Sequence, residues 1–246
     1  MRTAQVDPTA VDIRAMITEA RRQNRTALDE PAGKRILAAY GIRIPRSAQV
    51  AGPEQLDHAL RGLAPPFALK VISPDIIHKS DFGGVALHLT DQNAVRAAMV
   101  DMVQRVRGDG HRLEGFLVEQ MVPPGHAVVI GGVRDPSFGQ IIMFGLGGIF
   151  VEILRDVAFR ICPITAIDAQ EMIAELRGAP ILAGARGRLA IPEVVLVDAL
   201  MAIGGENGLL LELADDFAEV DINPLIVSPA GAVAVDARFI LSPEGG

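Results

Sequence analysis

Hydrophobic positions recur along the chain at two spacings. At three- and four-residue intervals, Val95, Ala98, Met99, Met102, Val103 and Val106 line one face of a helix that Asp91 caps and Gly108-Asp109-Gly110 closes. Ile36, Leu37 and Tyr40 do the same in a helix that begins at Asp29, carries Pro31 in its first turn and stops at Gly41. The spacing also predicts helices over 11–20, 53–63, 169–176 and 192–204. Apolar runs predict strands over 67–72, 85–89, 116–121, 126–133 and 140–144. A closing hairpin is predicted over 218–227 and 232–240, turned by Ser-Pro-Ala-Gly. Helices early and paired strands late make a mixed α+β pattern.

The chain has 246 residues, half of them hydrophobic and 22% charged, enough for one large domain or two lobes. A soft boundary falls near residues 108–116. The net charge of −7 argues against nucleic acid or an anionic membrane as partner, since both call for a basic face. Cys162 is the single cysteine, so no internal disulfide forms and a cytoplasmic setting is expected. The first residues hold no basic patch followed by an apolar run, so no secretion signal is expected. The apolar stretch 141–150 is broken by Gly145, Gly147 and Gly148 and is too short to span a bilayer.

Four stretches carry candidate chemistry. Lys70 interrupts the apolar strand Ala68-Leu-Lys-Val-Ile72; a buried ammonium needs a negative partner, either a structural carboxylate or a bound phosphate. Next comes His78-Lys79-Ser80-Asp81-Phe82-Gly83-Gly84. Paired glycines can turn N–H groups toward an anion, Lys79 and Ser80 add donors, and a neutral imidazole at His78 can attack phosphorus and carry the phosphoryl group. The third, Gly145-Leu-Gly147-Gly148 followed by Glu152, Arg155, Asp156 and Arg160, suits a polyphosphate or a tight β-turn. The fourth is Glu219-Val-Asp221-Ile-Asn223-Pro224 with Asp236 beyond the turn. Alternation puts Glu219, Asp221 and Asn223 on one face. A two-residue Pro229-Ala230 loop sets Asn223 opposite Asp236, whereas a bulge at Gly231 shifts the pairing by one. Their oxygens suit Mg²⁺. No zinc spacing, Gly-x-Ser-x-Gly elbow, Walker A or dinucleotide fingerprint occurs.

In this order, LDEPAGKRILAAYGIRIP, FALKVISPDIIHKSDFGGVAL, FLVEQMVPPGHAVVIGGVRDPSFGQIIMFGLGGIFVEILRDVAFRICPI and VDINPLIV…AVAVDARFIL resemble the ATP-grasp β subunit of ADP-forming acetyl-CoA (acyl-CoA) synthetases. More distantly the chain is similar to the β subunit of succinyl-CoA synthetase. The resemblance covers residues 25–242. It implies the ATP-grasp fold, with two α+β lobes clasping the nucleotide: a lobe over 25–112, a second over 113–246, and an extension over 1–24.

The resemblance further implies a role for each matched residue. Lys70 contacts ATP phosphates; Glu119, Gln120 and Met121 form the hinge strand beside adenine and ribose; the Asp81–Gly84 loop closes over the phosphates; and Lys79, Ser80, Gly83 and Gly84 are nucleotide-binding. Asn223 and Asp236 hold Mg²⁺ with Asp221 near them, and His78 accepts the phosphoryl group. ATP or ADP and Mg²⁺ are the implied cofactors. CoA-binding and CoA-ligase domains are expected on a separate α subunit, in an α₂β₂ heteromer. The competing readings are another ATP-grasp carboxylate ligase that makes a free acyl phosphate, and a non-catalytic nucleotide-binding regulatory subunit.

Overall fold

The computed structural model describes residues 12–76, 79–148, 151 and 153–243, and within them the chain forms two compact units. One comprises residues 45–123; the other combines the chain up to Ile44 with the chain from Pro124 onward. This division differs from the expected lobes in two ways. The strand Gly115–Gln120 pairs with both Ser47–Val50 and Phe67–Ile72, so it belongs to the first unit. The N-terminal helices pack into the core of the second, as the burial of Ile17, Ile36 and Leu37 there records.

The first unit is a four-stranded antiparallel sheet. Its strands are β1 (Ser47–Val50), β2 (Phe67–Ile72), β3 (Val85–Leu89) and β4 (Gly115–Gln120), in the order β1-β4-β2-β3. The helix Gln92–Gly108 contributes buried Val95, Met99, Met102 and Val106 to the same core as Leu69, Val71, Phe116 and Val118. Asp91 caps it, its carboxylate accepting from the Ala94 N–H at 2.9 Å. The helix expected over 53–63 is shorter: a 3₁₀ turn at Pro53–Gln55 leads into Leu56–Ala59. The chain then tightens, with the Arg61 N–H returning to the His58 carbonyl and Gly62 at φ +89°.

The second unit holds six antiparallel strands: β5 (His126–Asp135), β6 (Gly139–Leu146), β7 (Val157–Ile161), β8 (Phe217–Ser228), β9 (Gly231–Ala234) and β10 (Arg238–Leu241). Their order is β10-β8-β5-β6-β7, with β9 paired to β8. One sheet face contributes Ile130, Ile142, Phe144, Val220 and Ile222 to a core shared with the helices Ala166–Glu175 and Glu193–Gly204. Thr165 and Asp168 close a reciprocal capping box at the start of the former. The segment Glu193–Glu212 is apolar enough, at mean hydropathy 1.7, to pass as a membrane-crossing helix. Its helices Glu193–Gly204 and Leu209–Glu212 instead bury Leu196, Leu200, Ile203, Leu209 and Leu210 in this core. Leu28 and Thr26 extend the sheet edge, exchanging backbone hydrogen bonds with Phe239 and Leu241.

Candidate functional site

In the first unit, Lys70 and Glu119 sit diagonally across β2 and β4, which are paired with Ala68 facing Glu119. Their charged groups lie 3.0 Å apart, both buried. Glu119 is thus the negative partner that Lys70 demands. Gln120 ends β4 and Met121 follows it. The Gln120 side-chain oxygen accepts from the Ala64 N–H at 3.2 Å, the Met121 N–H donates to the Pro66 carbonyl at 3.0 Å, and the Met121 sulfur accepts from the His88 N–H at 3.2 Å.

His78 lies outside the described residues, and the chain on both sides of it is anchored. Upstream, the Asp75 carboxylate accepts from the Arg112 backbone N–H at 2.8 Å and from its guanidinium at 2.9 Å. That pairing lowers the Asp75 pKa to about 2. Downstream, Phe82 meets His111 edge-on, ring centroids 5.3 Å apart, and Arg105 donates to the Gly83 carbonyl at 2.7 Å. The expectation that the glycine amides turn toward an anion is corrected. The Gly83 N–H donates to the Ser80 carbonyl and the Gly84 N–H to the Lys79 carbonyl, because the turn closes on itself. Both glycines have packing reasons. Gly83 stands at φ +72°, and a Cβ on Gly84 would come within 2.6 Å of Val71 on β2.

The hairpin in the second unit takes the first of the two registers. Ser228 faces Gly231 across a two-residue loop, and the same register runs through Leu225–Ala234 to Asp221–Arg238 and Glu219–Ile240. Asn223 therefore faces Asp236, its N–H donating to the Asp236 carbonyl at 3.3 Å. Against β5, β8 carries one extra residue between Ile222 and Leu225. This bulge reverses which side of the strand is buried and leaves Asn223 exposed at the shift. Among the described residues no three His, Cys, Asp or Glu side chains converge on a metal position. The donors present, one carboxylate facing one amide, still fit Mg²⁺, which uses few protein oxygens and completes its shell with phosphate and water. One Asp236 oxygen accepts from the Ala237 N–H at 2.8 Å.

Two further features had no signal in the apolar pattern. The strand β7 extends the open face of the sheet, and the pairings align two rows across five strands. One reads Arg238–Asp221–Gly131–Met143–Phe159 and the other Ile240–Glu219–Val133–Ile141–Ile161. The first carries charge at β10 and β8 and the second only at Glu219 on β8, and both run to an apolar end where Phe159 and Ile161 are exposed. The second feature is Arg238 itself, whose guanidinium donates to Glu219 and lies 4.0 Å from Asp221. The glycine-rich stretch after β6 resolves differently. Asp156 is buried and accepts from the Arg177 and Gly178 N–H groups, both at 2.8 Å. Arg160 pairs with Glu171 and Glu175. Those residues hold local structure.

Comparison with known proteins bears on the whole chain. Residues 19–241 match the family model of the ATP-grasp domain. The chain is 43% identical, over 93% of its length and 97% of the relative's, to the β subunit of acetate–CoA ligase [ADP-forming] I of Pyrococcus furiosus. It is 37% identical to acetate–CoA ligase [ADP-forming] I of Archaeoglobus fulgidus, covering 86% of this chain but 30% of that longer protein. Among solved structures, acetyl-coenzyme A synthetase 1 of Ca. Korarchaeum cryptofilum superposes with a TM-score of 0.87 at 36% identity, over 93% of this chain and 99% of that one. In a further complex of that enzyme, with coenzyme A and Mg-AMPPCP, a phosphohistidine segment points towards the nucleotide binding site. The chain thus belongs to the ATP-grasp family, among the β subunits of ADP-forming acetate–CoA ligases.

Proposed function

We propose that this chain handles the nucleotide in a cytoplasmic ADP-forming acyl-CoA ligase, passing a phosphoryl group between ADP/ATP and a partner chain through His78. The observation that carries the reading is the hairpin register, which faces Asn223 with Asp236 beside three more polar side chains on an open sheet face. When bound at these oxygens, Mg²⁺ neutralises phosphate charge. Lys70, buried yet charged, adds a second neutralising group. The apolar ends of the two rows offer a flat bed for a base, with Gly131 keeping the floor low. Lys79, Ser80, Gly83 and Gly84 form the turn beside the phosphates, and Glu119, Gln120 and Met121 the strand beside adenine and ribose.

In the transfer step, an imidazole nitrogen of His78 bonds to the γ-phosphorus as the bond from phosphorus to the bridging oxygen breaks, and ADP leaves. The reverse step regenerates ATP. Positioning and charge neutralisation dominate such transfers. The acyl-CoA chemistry falls to a separate α subunit in an α₂β₂ assembly. The longer Archaeoglobus relative, of which this chain spans 30%, supports that division. Intact-protein mass spectrometry at neutral or alkaline pH tests the reading. Incubation with Mg-ATP is expected to add one acid-labile phosphate that His78→Ala removes. Wild-type turnover by His78→Ala, assembled with its partner, would sink the relay.

A further inference from the structure

We infer that Arg238 is a phosphate-contacting residue, held by Glu219 and Asp221 until a polyphosphate takes their place; the inference rests on the nucleotide reading above. Its position comes first. Arg238 faces Asp221 in the same register that faces Asn223 with Asp236. It therefore lies two residues beyond Asp236, which sits in the link between β9 and β10, while Asp221 lies two from Asn223 on β8; Arg238 and Asp221 face one another across the strands.

Its present partners come second. The guanidinium donates to Glu219 and stands 4.0 Å from Asp221, with the three side chains 32%, 45% and 31% exposed. Ion pairs this accessible to water are weak and readily exchanged. The pose is also incomplete, because the Arg238 Nε–H is buried with no hydrogen-bond acceptor among the described residues. A buried donor left unsatisfied is disfavoured, so re-aiming the guanidinium removes a cost. Phosphate oxygens match its planar fork, which binds them through paired hydrogen bonds.

Charge comes third. Glu219, Asp221 and Asp236 present three carboxylates to any polyphosphate that approaches Asn223. Arg238 is the one cation in the two aligned rows. Without it the phosphates would meet Mg²⁺ against an otherwise acidic wall. With it, the incoming phosphate displaces Glu219 and is neutralised on two sides.

The test measures Mg-ATP affinity of the full chain by titration calorimetry for wild type, Arg238→Ala, Arg238→Lys and Glu219→Gln. Arg238→Ala is expected to weaken binding roughly tenfold, the effect of one lost charge-assisted contact, and Arg238→Lys to recover part of it. Glu219→Gln, which releases the guanidinium, is expected to tighten binding. A merely structural cross-strand tie predicts something else, since both Arg238→Ala and Glu219→Gln break it and both would weaken binding alike. That pattern overturns the inference, as does wild-type affinity in Arg238→Ala. Either leaves the proposed function standing. A wild-type chain that binds no Mg-ATP overturns the nucleotide reading and this inference with it. Should Arg238→Ala fail to fold, Glu219→Gln decides alone: tighter binding supports the role, and equal or weaker binding overturns it.

Discussion

Lys70 and Glu119 form a buried ion pair on the two central strands of their sheet, 3.0 Å apart with side chains 4% and 2% exposed. Each justifies the other, because a lone charge at either position would lose its hydration without compensation. Lys70→Ala removes the buried cation paired with the Glu119 carboxylate and is expected to cost about 3–5 kcal/mol. Lys70→Met with Glu119→Leu removes both charges at similar volume and is expected to recover most of that loss. Urea unfolding of the single and double variants checks this, and a double variant no more stable than Lys70→Ala would refute it. Nucleotide binding should stay impaired in both if Lys70 also meets phosphate.

Gly33 shows two local effects of opposite sign. It occupies the helix Glu30–Ala39, where replacing glycine by alanine ordinarily gains about 1 kcal/mol. A Cβ there would lie 2.7 Å from the ring of Phe239, which is fully buried and packs edge-on against Phe217 at 5.0 Å. That ring has nowhere to go, and overpacking a filled core costs about 1–3 kcal/mol. The clash outweighs the propensity, so Gly33→Ala is expected to lower the melting temperature. A rise on thermal unfolding would show that the ring yields.

The Asp75–Arg112 contact sets a pH dependence with a definite sign. Hydrogen bonds from Arg112 lower the Asp75 carboxyl from 3.8 to about 2. A carboxylate whose pKa is depressed by folding stabilises the native state above its unfolded value, and that contribution fades as pH falls through the folded value. The stability difference between wild type and Asp75→Asn is therefore expected to hold above pH 4 and to shrink between about 4 and 2. A difference independent of pH over that window would mean that the pair contributes nothing through charge. NMR titration of the Asp75 carboxyl carbon gives the folded value directly.

Much of this architecture was legible in the sequence, for reasons that explain the exceptions. The strand 67–72 and the helix ending at Gly108 stand out because their apolar spacing and flanking caps agree. The strand Val157–Ile161 did not, since it is five residues long, interrupted by Arg160 and preceded by Arg155-Asp156. It earns its place by pairing with β6, which no local pattern encodes. Ser47–Val50 was missed for the same reason. Individual site residues were visible where their type was out of keeping with a strand, as at Lys70 or Asn223. Their partners were not, because Glu119 beside Lys70, and Arg238 beside Glu219 and Asp221, follow from strand register alone.

The pairing of Asn223 with Asp236 bears directly on metal dependence. Asp236 supplies the single carboxylate of the facing pair, and one of its oxygens already braces the Ala237 N–H, which fixes the direction of the other. Asp236→Ala removes both the ligand charge and that brace. Even residues that merely support a metal ligand typically contribute 10–100-fold to metal affinity, so the loss here is expected to be at least about tenfold. It should appear as a rightward shift in the Mg²⁺ dependence of ATP binding. Asp236→Asn keeps the size and an oxygen donor while removing the charge, and is expected to fall between wild type and alanine, since Mg²⁺ favours an anionic oxygen. Titrating Mg²⁺ at fixed ATP separates the variants. Coincident curves for all three proteins would place the metal away from this hairpin, and the neutralising role would pass to Lys70 and the other cations of the chain.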